Sequence, residues 1–324
     1  MSVARRAARG RAVALRVDAA AKVNLVLRVG PLRADGYHDL ATLLVPIDLS
    51  DQVAVRLRRG VRGEVTCRVP GRPELDGAAN LAARAAEGFR ARFGIDDAVE
   101  ITIRKRIPVV AGLGGGSSDA AAVLRALARA YRITDRTALA AIALDIGSDV
   151  PFFLERGAAW ATSRGERLTP ARVPRLDLVV LYPRDSALAI RAGDAYRWLD
   201  AARQGALPPG RPSIPRGGAW RPSLTANDLQ DPCFGRYSRL RELQSYLEVH
   251  GASPAIMSGS GPTVFGVFAN RATARRVATG ARRRIGSGVE VHVARTLHRH
   301  PGVTPWKSPR SASSRSQKRN SRPT

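Results

Sequence analysis

Residues Pro108-Val-Val-Ala-Gly-Leu-Gly-Gly-Gly-Ser-Ser-Asp-Ala-Ala121 form a stretch with almost no side chains that leads into an Ala-rich segment ending at Tyr131. Val123, Leu124, Leu127 and Tyr131 recur at helical spacing, so the helix starts where the glycines end. A helix N-terminus carries roughly half a positive charge and unpaired N–H donors. Behind a glycine loop whose backbone can approach a ligand, it makes a phosphate cradle. The P-loop pattern is absent, because no Lys follows any of Gly112, Gly114, Gly115 or Gly116. Gly112-x-Gly114-x-x-Ser117 approaches the dinucleotide fingerprint. That fold needs a strand running into the loop and an acid about 20 residues later at a strand end. Here Pro108 interrupts the approach, and Asp135 sits in the polar turn Ile133-Thr-Asp-Arg136. A merely structural turn capping a buried helix is disfavoured, since three adjacent glycines cost backbone entropy with nothing local to offset it.

With 324 residues the chain can fold as one large or two medium domains. No apolar run approaches the roughly 18 residues of a membrane span, and the basic lead Met1–Arg16 lacks the apolar core of a secretory signal. Cys67 and Cys233 lack metal-site spacing and read as reduced thiols of a cytoplasmic protein. The net charge of +26 is partly terminal: Met1–Arg16 holds five Arg and no acid, and Arg299–Thr324 holds seven Lys or Arg and no acid. Basic runs without aromatic interleaving or zinc spacing carry only non-specific affinity for polyanions, so no specific nucleic-acid partner is expected. Only four of the 53 basic residues are Lys, and the body of the chain keeps just Lys22 and Lys105. Lysine kept against such a bias marks places where a compact charge cannot be exchanged for a planar guanidinium.

Alternation predicts strands over Val13–Val29, broken around Ala19–Leu25, and over Gln52–Leu57, with Pro31–Gly36 a turn and Leu40–Ile47 an apolar run. Asn80 is an N-cap candidate for a helix Leu81–Phe93, and Val99–Arg104 is a strand leading to the glycine loop. After a helix at Thr137–Asp145, Gly147-Ser-Asp-Val-Pro-Phe-Phe153 reads as a turn entering a strand. A second unit starts near Glu166, with strands at Leu176–Tyr182, Ala255–Met257, Thr263–Phe268 and Val289–Thr296. Its helices fall at Ala192–Ala202, Asn227–Val249 (Asn227 as N-cap) and Ala272–Ile285, with a Pro/Gly-rich loop over Gln204–Pro222. This order predicts an α+β sandwich.

Five segments together resemble the GHMP small-molecule kinases: Ala21-Lys-Val-Asn-Leu-Val-Leu27, Asp35-Gly-Tyr-His-Asp-Leu40, the glycine loop, Gly147-Ser-Asp-Val-Pro-Phe152 and Ser258-Gly-Ser-Gly-Pro262. The likeness runs from about Ala20 to Leu297. It implies an α+β, two-domain fold with the active site in the cleft between the domains. Residues 13–165 would form the N-terminal, ATP-binding domain and 166–298 the C-terminal domain. A basic lead (1–12) and a tail (299–324) without fixed structure would flank them. The first two segments imply an acceptor that is a cytidine diphosphate-linked polyol, in isoprenoid precursor biosynthesis. No membrane partner is implied, and the assembly would be a monomer or homodimer.

The resemblance also implies roles. ATP, with Mg²⁺, would lie on Pro108, Val109, Val110, Ala111, Gly112, Leu113, Gly114, Gly115, Gly116, Ser117 and Ser118, with Asn80 and Lys105 on the same side. Ser117 or Ser118 would face phosphate or the metal. Asp149 would orient or deprotonate the acceptor hydroxyl while Lys22 keeps it ionised and offsets developing charge, which suits a reaction governed by positioning and electrostatics. Asn24 would lie beside the polyol, and Tyr37, His38 and Tyr196 beside the base. Two departures stand out. Ala187-Leu-Ala-Ile-Arg-Ala-Gly193 occupies the region where many members carry a substrate-facing Thr, and no Glu is placed for Mg²⁺.

Overall fold

One long antiparallel hairpin frames the protein. The computed structural model describes residues 12–203, 213–215 and 219–306. In it β1 (Ala12–Leu32) and β2 (His38–Arg62) pair from Ala12 opposite Arg58 to Leu32 opposite His38. The break in alternation near Ala19–Leu25 does not end the strand. Register shifts between Ala20 and Lys22 and between Asn24 and Val26 absorb it, as bulges bend a strand and re-aim its side chains. One strand thereby serves three cores. Leu15, Val17 and Ala19 enter the first, Ala21, Val23 and Leu25 a second, and Leu27 and Val29 a third.

The first sheet runs β12-β1-β2-β4-β3, built with β3 (Val65–Arg68), β4 (Asp97–Arg104) and β12 (Val303–Pro305). β5 (Ala159–Ser163) adds beside β2, β6 (Arg167–Pro170) beside β5, and β8 (Ala226–Asn227) beside β1. Three helices, α1 (Leu81–Phe93), α2 (Gly115–Tyr131) and α3 (Arg136–Ile146), supply the other side of this core. The alanines of α2 let its backbone approach closely: Ala120, Ala121, Ala122 and Ala126 are fully buried.

The second sheet has the order β11-β7-β10-β9, from β7 (Asp177–Pro183), β9 (Ala255–Met257), β10 (Val264–Phe268) and β11 (Val289–Arg295). Both faces are covered, so β7 reads as an unbroken apolar run. Val179 and Leu181 face a core shared with α4 (Ala192–Arg203), α5 (Gln230–Arg236), α6 (Ser238–Val249) and α7 (Arg271–Arg284). Leu178 and Val180 face Val23, Leu25 and Leu43 of the first sheet. That shared core fixes the two sheets against each other.

Several expectations change. Arg167–Pro170 stays with the first sheet, so the change of sheet falls between Pro170 and Asp177, later than residue 165. Pro151–Leu154 is a 3₁₀ turn, not the start of a strand. Asn227 does not cap a helix; it pairs with β1, and the helical region splits at Tyr237. The expected structureless tail is ordered at its start. Val303–Pro305 pairs with Leu15–Val17, and the His300 side chain is buried. The remainder, residues 307–324, lies outside the described residues, as do residues 1–11 and most of the expected Gln204–Pro222 loop.

Candidate active site

Two glycine turns from opposite halves of the chain meet at Gly112. Its φ is +71°, and a Cβ there would lie 2.2 Å from Ser258 O, so only glycine permits the contact. Ser258 Oγ donates to Gly112 O at 3.0 Å, and the Lys22 backbone N–H donates to Leu113 O at 2.9 Å. Asn227 braces the other side, its Nδ2 donating to Met257 O at 2.9 Å and to Gly259 O at 2.8 Å.

Lys22 points into this junction because the bulge after Ala20 turns β1 there. Its Nζ donates to Asn24 Oδ1 at 2.7 Å and to Gly112 O at 2.9 Å, and lies 3.7 Å from Asp149 Oδ2. Asn24 in turn donates to Thr42 Oγ1 at 2.7 Å, and Thr42 to Val26 O at 2.7 Å, a relay that fixes the amide orientation. The Lys22 side chain is 5% exposed and that of Asp149 42%. Burial pushes the Lys22 ammonium below its ordinary pKa, opposed by the Asp149 charge and hydrogen bond. The result is a cation held by protein at its base and open toward one carboxylate.

On one side of Gly112 and Gly114 lies a cavity of about 400 Å³, faced by Asn80, Pro108, Val109, Val110, Ala111 and Ser117. Val110 takes φ +53°, a strained value for a β-branched residue of the kind that collects at functional sites. Asn80 both caps α1, accepting from Ala82 N at 2.9 Å, and faces the cavity. Leu113 and Ser118, expected on this surface, stand off it. Leu113 is packed in the inter-sheet core, and Ser118 is buried with its N–H given to Gly114 O. Of the two candidate serines, Ser117 faces the cavity.

Lys105 also borders this cavity, yet its charge is already committed. Nζ donates to Asp51 Oδ2 at 2.5 Å and to Asp119 Oδ2 at 2.8 Å. Burial alone would lower its pKa, but Asp119 and Asp51 together raise it. Asp51 Oδ1 accepts from Arg106 N and Ile107 N at 2.5 and 2.8 Å, pinning the strand end from which the glycine loop departs. Asp119 Oδ1 is buried with no partner, and burial pushes this carboxyl up to about 8 against the pull of Lys105.

On the other side of Gly112 and Gly114 a cavity of about 640 Å³ holds Lys22, Asn24, Asp149, Tyr37, His38 and Tyr196. Tyr37 is exposed at its rim with the Arg164 guanidinium 5.0 Å over its ring. Gly193, Tyr196, Arg197 and Asp200 of α4 face it at i, i+3, i+4 and i+7. Tyr196 stacks on His38 with ring centroids 5.4 Å apart and planes at 15°. Burial and the Asp149 charge raise the Tyr196 pKa, so its hydroxyl keeps its proton. His38 Nδ1 is 3.0 Å from Gly30 O, and Nε2 is 3.2 Å from Asp200 Oδ2.

Two cavities sharing one glycine wall, with a lysine and a carboxylate at the join, suit transfer of a group between two ligands. Residues 80–157 match the GHMP kinases N terminal domain, and residues 189–286 match the GHMP kinases C terminal family. A 4-diphosphocytidyl-2-C-methyl-D-erythritol kinase of Anaeromyxobacter dehalogenans (strain 2CP-C) is 65% identical over 309 residues, covering 94% of this chain and 98% of that protein. The enzyme so named in Deinococcus radiodurans is 39% identical over 272 residues, 82% of this chain and 88% of that one. The chain belongs to the 4-diphosphocytidyl-2-C-methyl-D-erythritol kinase family of GHMP kinases. A crystal structure of 4-(cytidine 5'-diphospho)-2C-methyl-D-erythritol kinase superposes with a TM-score of 0.70 at 34% identity, covering 87% of this chain and 98% of that one. Homoserine kinase from Cytophaga hutchinsonii shares the fold, with a TM-score of 0.66 at 18% identity, over 90% of this chain and 97% of that one.

As a member of that family the protein is a kinase with ATP as phosphoryl donor. Several residues of this kinase's site carry no local signal in the sequence. Thr42 sits in an ordinary apolar run, and Asp51 follows a serine on the strand. Asp200 could have been found: it lies four residues after Tyr196, on the helix face that Tyr196 defines. Asn227 was visible only as an N-cap candidate, and its partners, Met257 and Gly259, are reachable only through the fold. Among the described residues no helix is long and apolar enough to cross a membrane, and no group of three His, Cys, Asp or Glu could hold a metal ion.

Proposed function

We propose that this kinase transfers the γ-phosphoryl of ATP to the 2-hydroxyl of 4-diphosphocytidyl-2-C-methyl-D-erythritol, giving the 2-phosphate and ADP. The observation that carries this reading is the Lys22–Asp149 pair at the join of the two cavities. ATP lies in the smaller cavity with its phosphates along Gly112–Ser117, at the N-terminus of α2. The acceptor lies in the larger one, its polyol beside Asn24 and its base between Tyr37 and the His38–Tyr196 stack. The acceptor oxygen forms a bond to the γ-phosphorus as the bond to the β-phosphate oxygen breaks, and its proton passes to the Asp149 carboxylate. Lys22 keeps that carboxylate ionised and offsets charge on the transferring oxygens.

Magnesium fits this site in the way it fits phosphate sites generally, held by substrate oxygens and one or two protein groups rather than by a protein cage. Ser117 faces the cavity, which the oxygen-bearing side chains of Glu74, Asp76, Asn80 and Asp119 also line. The ion would supply charge neutralisation to the phosphates.

The His38–Asp200 pair supports a cytosine. Gly30 O only accepts, so His38 Nδ1 donates to it, and Nε2 lies 3.2 Å from Asp200 Oδ2, an oxygen of a carboxylate that only accepts. A carboxylate acceptor on this wall suits the 4-amino donor of cytosine and opposes the 4-carbonyl of uracil. The buried, unpaired thiols Cys67 and Cys233 fit a reducing cytoplasm.

The test is an ADP-release assay in which the diphosphocytidyl polyol, mevalonate, homoserine and galactose are offered separately. Turnover is expected with the first alone. Turnover confined to another acceptor would overturn the substrate while leaving the two-cavity arrangement standing.

A further inference from the structure

We propose that His300, in the segment that follows the last strand of the second sheet, is a positioning residue for Asp149 and acts through Phe152 and Phe153. The proposal rests on the role given to Asp149 above. His300 lies beyond the residues that match the GHMP families, 80–157 and 189–286. Its ring meets Phe152 edge-on at 5.2 Å and Phe153 at 5.5 Å. Those two rings belong to the 3₁₀ turn Pro151–Leu154, directly after Asp149 and the fully buried Val150.

The far side of the Phe153 ring reaches the catalytic junction. A Cβ on Gly114 would lie 2.9 Å from Phe153 Cζ and 3.1 Å from Lys22 Cγ. One stack of contacts therefore runs from His300 through Phe153 to Gly114, beside the Lys22 stem. Among the described residues Asp149 makes a single ion pair, at 3.7 Å, and it is partly exposed, so its place is set by the packing of its turn.

The segment is fastened on all sides. His300 N–H donates to Arg156 O at 2.9 Å, Arg125 of α2 donates to Pro301 O, and the carbonyl of His298 fills the space a Cβ would need at Gly157. Beyond it, β12 pairs with β1, and Arg56 stacks over Trp306 at 4.6 Å. The imidazole is used for its shape. Nε2 is buried without a partner, and burial with the Arg125 charge pushes the ring down to about 4, so it is neutral in ordinary buffers. A buried nitrogen with no bond is a cost that a phenyl ring would not carry.

The experiment compares His300→Ala and His300→Phe in the full chain, reading kcat, both KM values and amide exchange over residues 147–154. His300→Ala should lower kcat about 10- to 100-fold with little change in either KM, because a small misplacement of a reacting group has that effect. Exchange over 147–154 should quicken. His300→Phe should restore both and unfold at or above the wild-type temperature. Wild-type kcat in His300→Ala, unchanged exchange, or a folded His300→Phe that stays as slow as the Ala variant would each overturn the proposal. If Ala does not fold, His300→Leu, which keeps bulk without a ring, is read by the same criteria. An active Asp149→Asn enzyme whose exchange still quickens in His300→Ala would instead remove the role of Asp149.

Discussion

Lys22 Nζ is closer to Asn24 Oδ1 and Gly112 O than to Asp149 Oδ2, at 2.7, 2.9 and 3.7 Å, so protein groups hold the ammonium in place and leave the carboxylate room for a hydroxyl. Asp149→Asn keeps the shape and removes the charge, and should lower kcat by about 10²–10⁴. Lys22→Arg should be equally damaging, because Nζ donates to Asn24 Oδ1 at 2.7 Å and to Gly112 O at 2.9 Å, an arrangement for a compact ammonium that a wide planar guanidinium cannot repeat. Combined, the two should lose less than the product of the single losses, since groups acting as a unit are not additive. Single-turnover rates of the three variants decide this. A Lys22→Arg enzyme near wild-type rate would move the catalytic cation elsewhere.

Gly112→Ala isolates the contact between the two turns. Its Cβ would meet the backbone carbonyls of Ser258 and Gly261 at 2.2 and 3.0 Å, so one loop has to move. We expect a loss of about 2–3 kcal/mol of stability and a rise in KM for both substrates, as Gly112 borders both cavities. Gly71→Ala, at φ +80° with open space, is the control and should cost about 1 kcal/mol with unchanged KM. Equal effects in the two variants would mean that the strain of positive φ, not the contact, is what matters.

The glycine loop and the isolated lysines were legible because each breaks a local rule of composition or propensity, whereas Tyr37 and His38 came only with the family resemblance. Lys105 shows where that reading stops. Its retention against an arginine bias marked it correctly as unusual, yet what it binds, Asp51 and Asp119, is decided by how β2, β4 and α2 pack. Val303–Pro305 was missed for a related reason. Three residues in a basic, Pro-rich stretch carry no periodicity, and the β1 edge that accepts them cannot be seen from their own sequence.

Asp119 predicts a pH dependence of stability. Its carboxyl is pushed up to about 8 by burial, while an unfolded Asp titrates near 4. Between those values the folded protein holds a proton that the unfolded chain has lost, so this group makes stability fall as pH rises, with no further effect above about 8. Asp119→Asn keeps an acceptor for Lys105 and cannot ionise. The difference between the urea midpoints of wild type and variant, followed from pH 5 to 9, should therefore move in the variant's favour. A constant difference would show that Asp119 is ionised throughout.

Removing Lys307–Thr324 takes away six basic residues and no acid. Retention on a polyanionic resin at low salt should weaken, and kcat should stay within about twofold, since His300 and β12 remain. A large fall in kcat would give this terminal stretch a part in catalysis.

Asp200 offers the most direct test of how the base is chosen. Its carboxylate lies on one wall of the larger cavity, with Oδ2 3.2 Å from His38 Nε2, and presents acceptors only. The 4-amino donor of cytosine matches such an acceptor, whereas the 4-carbonyl of uracil opposes it, and a polar site rejects the wrong partner strongly because its own groups are left unmatched. Asp200→Asn replaces an acceptor-only group by an amide that can also donate. The variant should lose about 10- to 100-fold in kcat/KM for the cytidine-linked acceptor, mostly through KM, and gain on the uridine-linked analogue, so that the preference narrows. Asp200→Ala should lose on the first without gaining on the second. If both acceptors weaken equally in Asp200→Asn, the carboxylate only orients His38, and the base is read by other atoms of the cavity.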